Sequence, residues 1–447
     1  MKLWSDKIGY LRRMKEFYSK IEYNGINLWP VMATEIYPYY YFSHTDKIEE
    51  PSKFKRNLMK IKALFFKENF YPSGKKNKLL VSYFMARKDH YELVKKSVEA
   101  FPKGDLCWID AYTAKEKNLF LRNSFRFPKI SLLLYLWKKF EKSGLKEMLG
   151  EYYFFFIART YYRCMQIEEF EKIIERYAPR GYLSFSSSSM GEETILASIC
   201  NKKDIPTFTL QHGFLSNNNK NFSPFIIQNE NLIAGYSLLW GKSSQDIQSK
   251  CIKDVRRLLV VGNPKYDLPK QNRKEKFKPR EATFFFSVPA YRKSNEKLLI
   301  LLREFSKKHH EIKFNLKLHP FDKIENYSEF LNIGSFNFVN KEDSIPDLLK
   351  RSDFVIVHNT SVAYESLLYE IPIFRFKDVF WSNLWDIKDY FSNLEEIERL
   401  FKKRGDLNSW NKILKKYINE RGKMFFFPNG LSVSEFYKKV ISAKLKI

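Results

Sequence analysis

Short apolar runs rich in β-branched and aromatic side chains recur along the chain and alternate with stretches of helical spacing. The sharpest is Phe354 to Val357, FVIV, whose unbroken apolar character predicts a strand buried on both faces of a parallel sheet. It gives way to the polar His358-Asn359-Thr360-Ser361. Val362 to Tyr369 then reads as a helix, with Thr360 and Ser361 as N-cap residues, and a further strand runs from Ile371 to Phe376.

The same rhythm is predicted upstream. Strands at Lys78 to Phe84 and Leu106 to Ile109 flank a helix at His90 to Ala100. Leu119 to Tyr177 is mostly helical and aromatic, an insertion or cover on the sheet. A strand at Tyr182 to Phe185, a helix at Gly191 to Asn201 and a strand at Pro206 to Leu210 follow, then strand, helix and strand at Leu232 to Trp240, Gln245 to Cys251 and Leu258 to Val261. Pro269 to Arg280, PKQNRKEKFKPR, has a linker's composition. Beyond it the pattern restarts: strand Ala282 to Ser287, helix Glu296 to Lys308, strand Lys313 to Leu318, helix Ser344 to Arg351. From Trp381 the chain reads as helical, amphipathic from Leu394 to Tyr417, and it ends in a helix from Ser432 to Lys444.

The expected class is therefore α/β, with two Rossmann-like domains and helical extensions at both ends. The division is 1–75, a basic, aromatic-rich helical segment; 76–268, a first Rossmann-like domain with its helical insertion; 269–280, the linker; 281–425, a second such domain; and 426–447, a C-terminal helix.

Charge narrows the partners. Among 447 residues, 78 Lys and Arg face 51 Asp and Glu, a net charge of +27, which favours anionic ligands. The basic residues are spread throughout, with no zinc-finger spacing, RNP-like pattern or helix-turn-helix, so no nucleic-acid partner is expected. The basic, aromatic helices of 1–75 could lie on an anionic inner-membrane surface, against the alternative of ordinary packing on the main domain. Cys107, Cys164, Cys200 and Cys251 lack ligand spacing and read as reduced thiols of a cytoplasmic protein. No apolar stretch is long enough for a transmembrane helix, so peripheral attachment at the inner face of the membrane is the form that association would take.

Candidate chemistry lies where strands end. A hydroxyl-rich turn at a helix start offers free N–H groups and the positive dipole end to an anion. That points to Asn359, Thr360 and Ser361, with Glu365 one turn on, placed to reach a ribose diol. Lys317, His319 and Pro320 end another strand of the same half. In the first half Gln211, His212 and Gly213 end a strand, with His212 a candidate base and Gly213 allowing a sharp bend. Ser187 and Ser188 belong to the turn at Ser186 to Ser189. Structural roles compete at His212 and His319, and His358 reads as structural.

QHG at Gln211 to Gly213, GNPKYD at Gly262 to Asp267, KLHP at Lys317 to Pro320 and the run from Ser352 to Phe374, in that order, resemble bacterial surface-glycan transferases of the GT-B fold. These are capsule polysaccharide glycosyltransferases, polysialyltransferase-like enzymes and CDP-glycerol glycerophosphotransferases. The resemblance spans Tyr182 to Phe374. It implies a cleft between the two domains and transfer of a sugar from a CMP- or UDP-sugar to a growing capsule or lipopolysaccharide glycan, free or lipid-linked. His319, Thr360 and Ser361 would hold the donor phosphate with Lys317 assisting, Glu365 would take the ribose, and His212 would deprotonate or orient the acceptor. No DxD pair is present, so neither a metal nor a cofactor is expected. Phe321-Asp322 after the HP pair departs from the teichoic-acid pattern, which ranks a polyol-phosphate transferase second. A non-catalytic protein binding an anionic glycan or a membrane is the third reading. Capsule-type enzymes more often use an acidic base, for which Glu192, Glu193 and Asp110 are candidates.

Overall fold

The computed structural model describes residues 7–42, 53–67, 70–85, 87–110, 124–211, 213, 215, 231–266, 279–340, 342–379, 381, 385 and 387–446. The proposed linker falls almost entirely outside them.

Two sheets organise the molecule. The first joins β1 (Leu79–Tyr83), β2 (Leu106–Asp110), β3 (Gly181–Ser184), β4 (Thr207–Leu210), β5 (Tyr236–Leu239) and β6 (Leu258–Val260), all parallel, in the order β6-β5-β4-β3-β1-β2. Ser73–Gly74 adds a short antiparallel edge beside β2. The second joins β7 (Glu281–Phe285), β8 (Lys313–Lys317), β9 (Phe336–Phe338), β10 (Phe354–Val357), β11 (Ile373–Phe376) and β12 (Tyr390–Phe391), also parallel, in the order β9-β8-β7-β10-β11-β12. In both sheets the strand order reverses beside the first strand. A doubly wound sheet opens a crevice there, beyond the strand C-termini.

Helices cover the sheets. In the first half these include α1 (Lys7–Tyr18), α2 (Leu28–Phe42), α3 (Lys53–Phe65), α4 (Lys88–Ser97), α5 (Ile130–Lys142), α6 (Tyr153–Tyr177) and α7 (Gly191–Lys202); in the second, α8 (Arg292–Lys308) and α9 (Val362–Leu368). Of the two readings of 1–75, α1 and α2 take the packed one. Met14, Tyr18, Val31, Met32 and Ile36 of α1 and α2 are buried against Phe140, Phe155 and Phe170, so these aromatic helices are core; only α3 remains largely at the surface.

The C-terminal segment ties the halves together. It forms α10 (Leu407–Met424) and α11 (Val433–Leu445), and one apolar cluster runs from Val81 and Leu183 of the first sheet through Phe425 and Tyr437 to Val355 and Val357 of the second. The Phe426 N–H donates to the Trp240 carbonyl at 2.8 Å, and the Tyr437 hydroxyl to that of Gly262 at 3.0 Å. Gly262 has φ +96°, and a Cβ there would sit 2.6 Å from the Phe426 carbonyl oxygen, so the returning chain requires glycine at this position.

The helical region after Trp381 is interrupted at two places. Leu394 to Tyr417 is not one helix: the chain breaks at Asp406, whose carboxylate accepts from the Ser409 N–H at 2.9 Å and caps α10. The region after Trp381 also contributes the edge strand β12.

Candidate functional site

β8 and β10 flank β7, so His319 and the turn at His358–Ser361 leave the same sheet edge two strand spacings apart, about 10 Å. Between them lies the end of β7. The Ser287 hydroxyl accepts from the Asn359 N–H at 3.1 Å and contacts His358 Nδ1 at 3.3 Å, while His358 Nε2 meets Asp378 Oδ1 at 2.9 Å. Ser294 bonds the other Asp378 oxygen. Ser287 and His358 are buried, and this chain holds the shape of the turn, the structural role expected of His358.

The helix start differs in detail from the sequence expectation. Ser361 occupies the N-cap position of α9 without a side-chain cap. The Thr360 hydroxyl accepts from the Val362 N–H instead, at 3.4 Å, and both Thr360 and Ser361 are half-buried at the edge. Ser361 therefore keeps its hydroxyl clear of that helix-capping duty.

His319 is half-buried beside the first sheet's edge. Its Nδ1 accepts from the Phe321 N–H at 3.2 Å, so the neutral ring carries its proton on Nε2. Arg87, just before α4, lies over the Phe321 ring at 5.3 Å and pairs with Asp89 at 2.6 Å. Burial, followed by the Arg87 charge, pushes the His319 imidazole down to about 4. A neutral N–H donor beside a guanidinium is arranged to meet an oxyanion without itself being charged beforehand.

This shift has a consequence for stability. Between pH 6.5 and 4 the unfolded chain binds a proton that the folded ring refuses, so the stability conferred by the neutral ring is full above pH 6.5 and is lost as pH falls toward 4. Chemical denaturation at pH 7 and 4.5 should show a larger loss for the wild type than for His319→Gln, which cannot titrate. Equal losses would count against the buried neutral ring.

The Lys317 ammonium donates to the Asn340 carbonyl at 2.8 Å, just beyond β9, so any assistance to a donor phosphate has to share it with that acceptor. Pro320 is exposed. Glu365 accepts from the Tyr266 hydroxyl across the cleft, and burial raises its pKa while Lys265 opposes the shift. Its carboxylate thus locks the two halves together, so any ribose contact has to share it with Tyr266. Asn263 forms the turn that presents these partners: its side chain accepts from the Lys265 N–H at 3.0 Å and its carbonyl from the Tyr266 N–H at 2.9 Å.

On the acceptor side, His212 lies outside the described residues. Gln211 is buried and structural, accepting from the Trp240 N–H at 2.8 Å and donating to the Gly213 carbonyl at 2.9 Å. Gly213 adopts φ +79°, the left-handed bend its residue type permits. Ser187 and Ser188 are buried in a turn whose carbonyls accept from Thr194 and Asn231. Of the acidic candidates, Glu192 is taken by Arg163 at 2.7 Å. Glu193 is fully buried, accepts from the Ser186 N–H and the Ser82 hydroxyl, and is pushed up by burial to about 8. Asp110 ends β2. Among the described residues no three His, Cys, Asp or Glu side chains gather to hold a metal ion.

The cleft residues that sequence reasoning missed are Arg87, Asp89, Lys265 and Tyr266. GNPKYD was the one available signal, because it contains two of them.

No protein-family model matches the chain, and no curated protein matches it in sequence. Solved structures do. S. aureus MnaA, determined with UDP, aligns with a TM-score of 0.53 at 13% identity, covering 83% of this chain and 97% of that one. Anabaena HepE, in complex with UDP-glucose, aligns with a TM-score of 0.51 at 10% identity, covering 83% of this chain and all of that one. The chain has the GT-B fold. In this GT-B chain the two halves already touch, at Tyr266–Glu365 and Arg87–Phe321.

Proposed function

We propose that this GT-B protein is a glycosyltransferase that takes a sugar from a uridine-diphosphate donor and adds it to a surface glycan or its lipid-linked precursor. The observation that carries this reading is the neutral, Nε2-protonated His319, set beside Arg87 of the opposite half and on the same sheet edge as Thr360 and Ser361. In the proposed reaction an acceptor hydroxyl attacks the anomeric carbon and the bond to the donor's β-phosphate oxygen breaks. Nucleoside diphosphate leaves with the bonding pair, and the hydroxyl proton passes to a base, for which His212 is proposed. His319 and the start of α9 stabilise charge on the departing phosphate, with Arg87 and Lys265 adding positive potential. The UDP and UDP-glucose of the two structural neighbours favour uridine over cytidine donors.

A thermal-shift panel of UDP, CDP, CMP and GDP tests the donor. UDP at 100 times its Kd should stabilise the fold by roughly 2.7 kcal/mol, and the other nucleotides less. Stabilisation by none of them, together with no donor turnover, would reduce the protein to a non-catalytic binder.

A further inference from the structure

More than half of the exposed large apolar side chains among the described residues gather on adjoining elements of the first half. On α3, Phe54, Leu58 and Ile61 face solvent, Phe54 at 78% exposure. Their spacing of four and then three residues makes one stripe of a helix. On α5, Ile130, Leu134 and Trp137 repeat that spacing, again exposed. Both helices bury their opposite faces normally, α3 through Ala63 and α5 through Leu132, Leu136 and Phe140, so each carries a second apolar stripe that the core does not use.

The two stripes lie on neighbouring elements because α6 carries both helices. Arg56 of α3 meets Glu151 and Tyr152, just before α6, and Ala63 packs on Ala158 and Tyr162, so α3 runs parallel to α6. Trp137 of α5 lies tilted against Phe154 with ring centroids 5.4 Å apart, and the Lys129 N–H donates to the Tyr161 hydroxyl at 2.9 Å, so α5 runs antiparallel to it. Exposed Phe154 marks one end of the pair. At the other end, Arg126 donates to the Ala63 carbonyl at 3.1 Å, beside Phe127 at 83% exposure.

Charge decides the occupant. The α3 sequence, KFKRNLMKIKALF, is basic throughout with no acidic residue, and Lys138, Lys139 and Lys142 stand exposed at the end of α5. Apolar stripes with aromatic members, bordered by lysines that outnumber the exposed Glu141, Glu147 and Glu151 nearby, match an anionic bilayer interface, where side chains enter the headgroup boundary and ammonium groups meet lipid phosphates. Among the described residues no helix is long and apolar enough to cross a membrane, so this face would lie on the bilayer surface. We propose that the α3–α5 face docks the protein on an anionic lipid bilayer. This holds whatever nucleotide the cleft accepts.

The test is flotation of the full chain with phosphatidylcholine vesicles, with and without phosphatidylglycerol. Binding should require the anionic lipid and weaken in high salt. The triple variant Leu58→Glu, Leu134→Glu, Trp137→Glu should reduce vesicle binding at least tenfold, as should a separate Lys138→Glu, Lys139→Glu, Lys142→Glu variant, with circular dichroism and nucleotide-induced stabilisation unchanged in both. Lipid-independent binding, undiminished binding by the folded variants, or a dimer in solution that either variant dissolves would overturn the proposal.

Discussion

Replacing Arg163 by alanine is expected to cost about 3–5 kcal/mol of folding stability. Arg163 of α6 is buried, donates to Glu35 of α2 at 2.8 Å through Nε, and pairs with Glu192 of α7 at 2.7 Å through Nη1. Arg159 also binds Glu35. Burial pushes the Glu35 carboxyl up, but Arg163 and then Arg159 outweigh it and hold it down at about 2. Without Arg163, two carboxylates remain in the interior with one cation between them, and the joint between the N-terminal helices and the first sheet loses its centre. Chemical denaturation followed by circular dichroism would measure this. A loss below about 1 kcal/mol would mean that the site relaxes or admits water.

The second large effect falls on turnover rather than stability. His319→Ala should slow donor consumption by about 10²- to 10³-fold, the scale for removing one preorganised donor from a developing oxyanion. Arg87→Ala should act in the same direction, since it removes both the guanidinium and its stacking on Phe321. His319→Gln keeps an N–H donor and should recover part of the lost rate, which a purely packing role for the ring would not require. Unaltered turnover in His319→Ala would remove the residue from the mechanism.

Much of this architecture was legible in the sequence because parallel strands buried on both faces leave unbroken apolar runs, and Phe354–Val357 was bounded to the residue. Phe336–Phe338 was missed: only its first residue is fully buried, so it carries no apolar run. The break at Asp406 carried a signal, a Gly-Asp pair inside an amphipathic pattern, but helical periodicity on both sides masked it. The strand-end positions of His319, Thr360 and Ser361 could be read from strand and turn chemistry. Their partners could not, because Arg87 reaches the Phe321 ring and comes near His319 only after the two sheets face each other, and nothing local to Arg87 encodes that. Lys317 shows the converse limit: a strand residue's side can be inferred from alternation, but a long side chain turns to whichever acceptor it reaches, here the Asn340 carbonyl.

Titration calorimetry of UDP into the wild type and into His319→Ala at pH 7 is the most direct measurement of phosphate capture in the cleft. The wild type should bind UDP about ten- to a hundredfold more tightly than the variant, the worth of a hydrogen bond to a charged group. Equal affinities in the two proteins would contradict it.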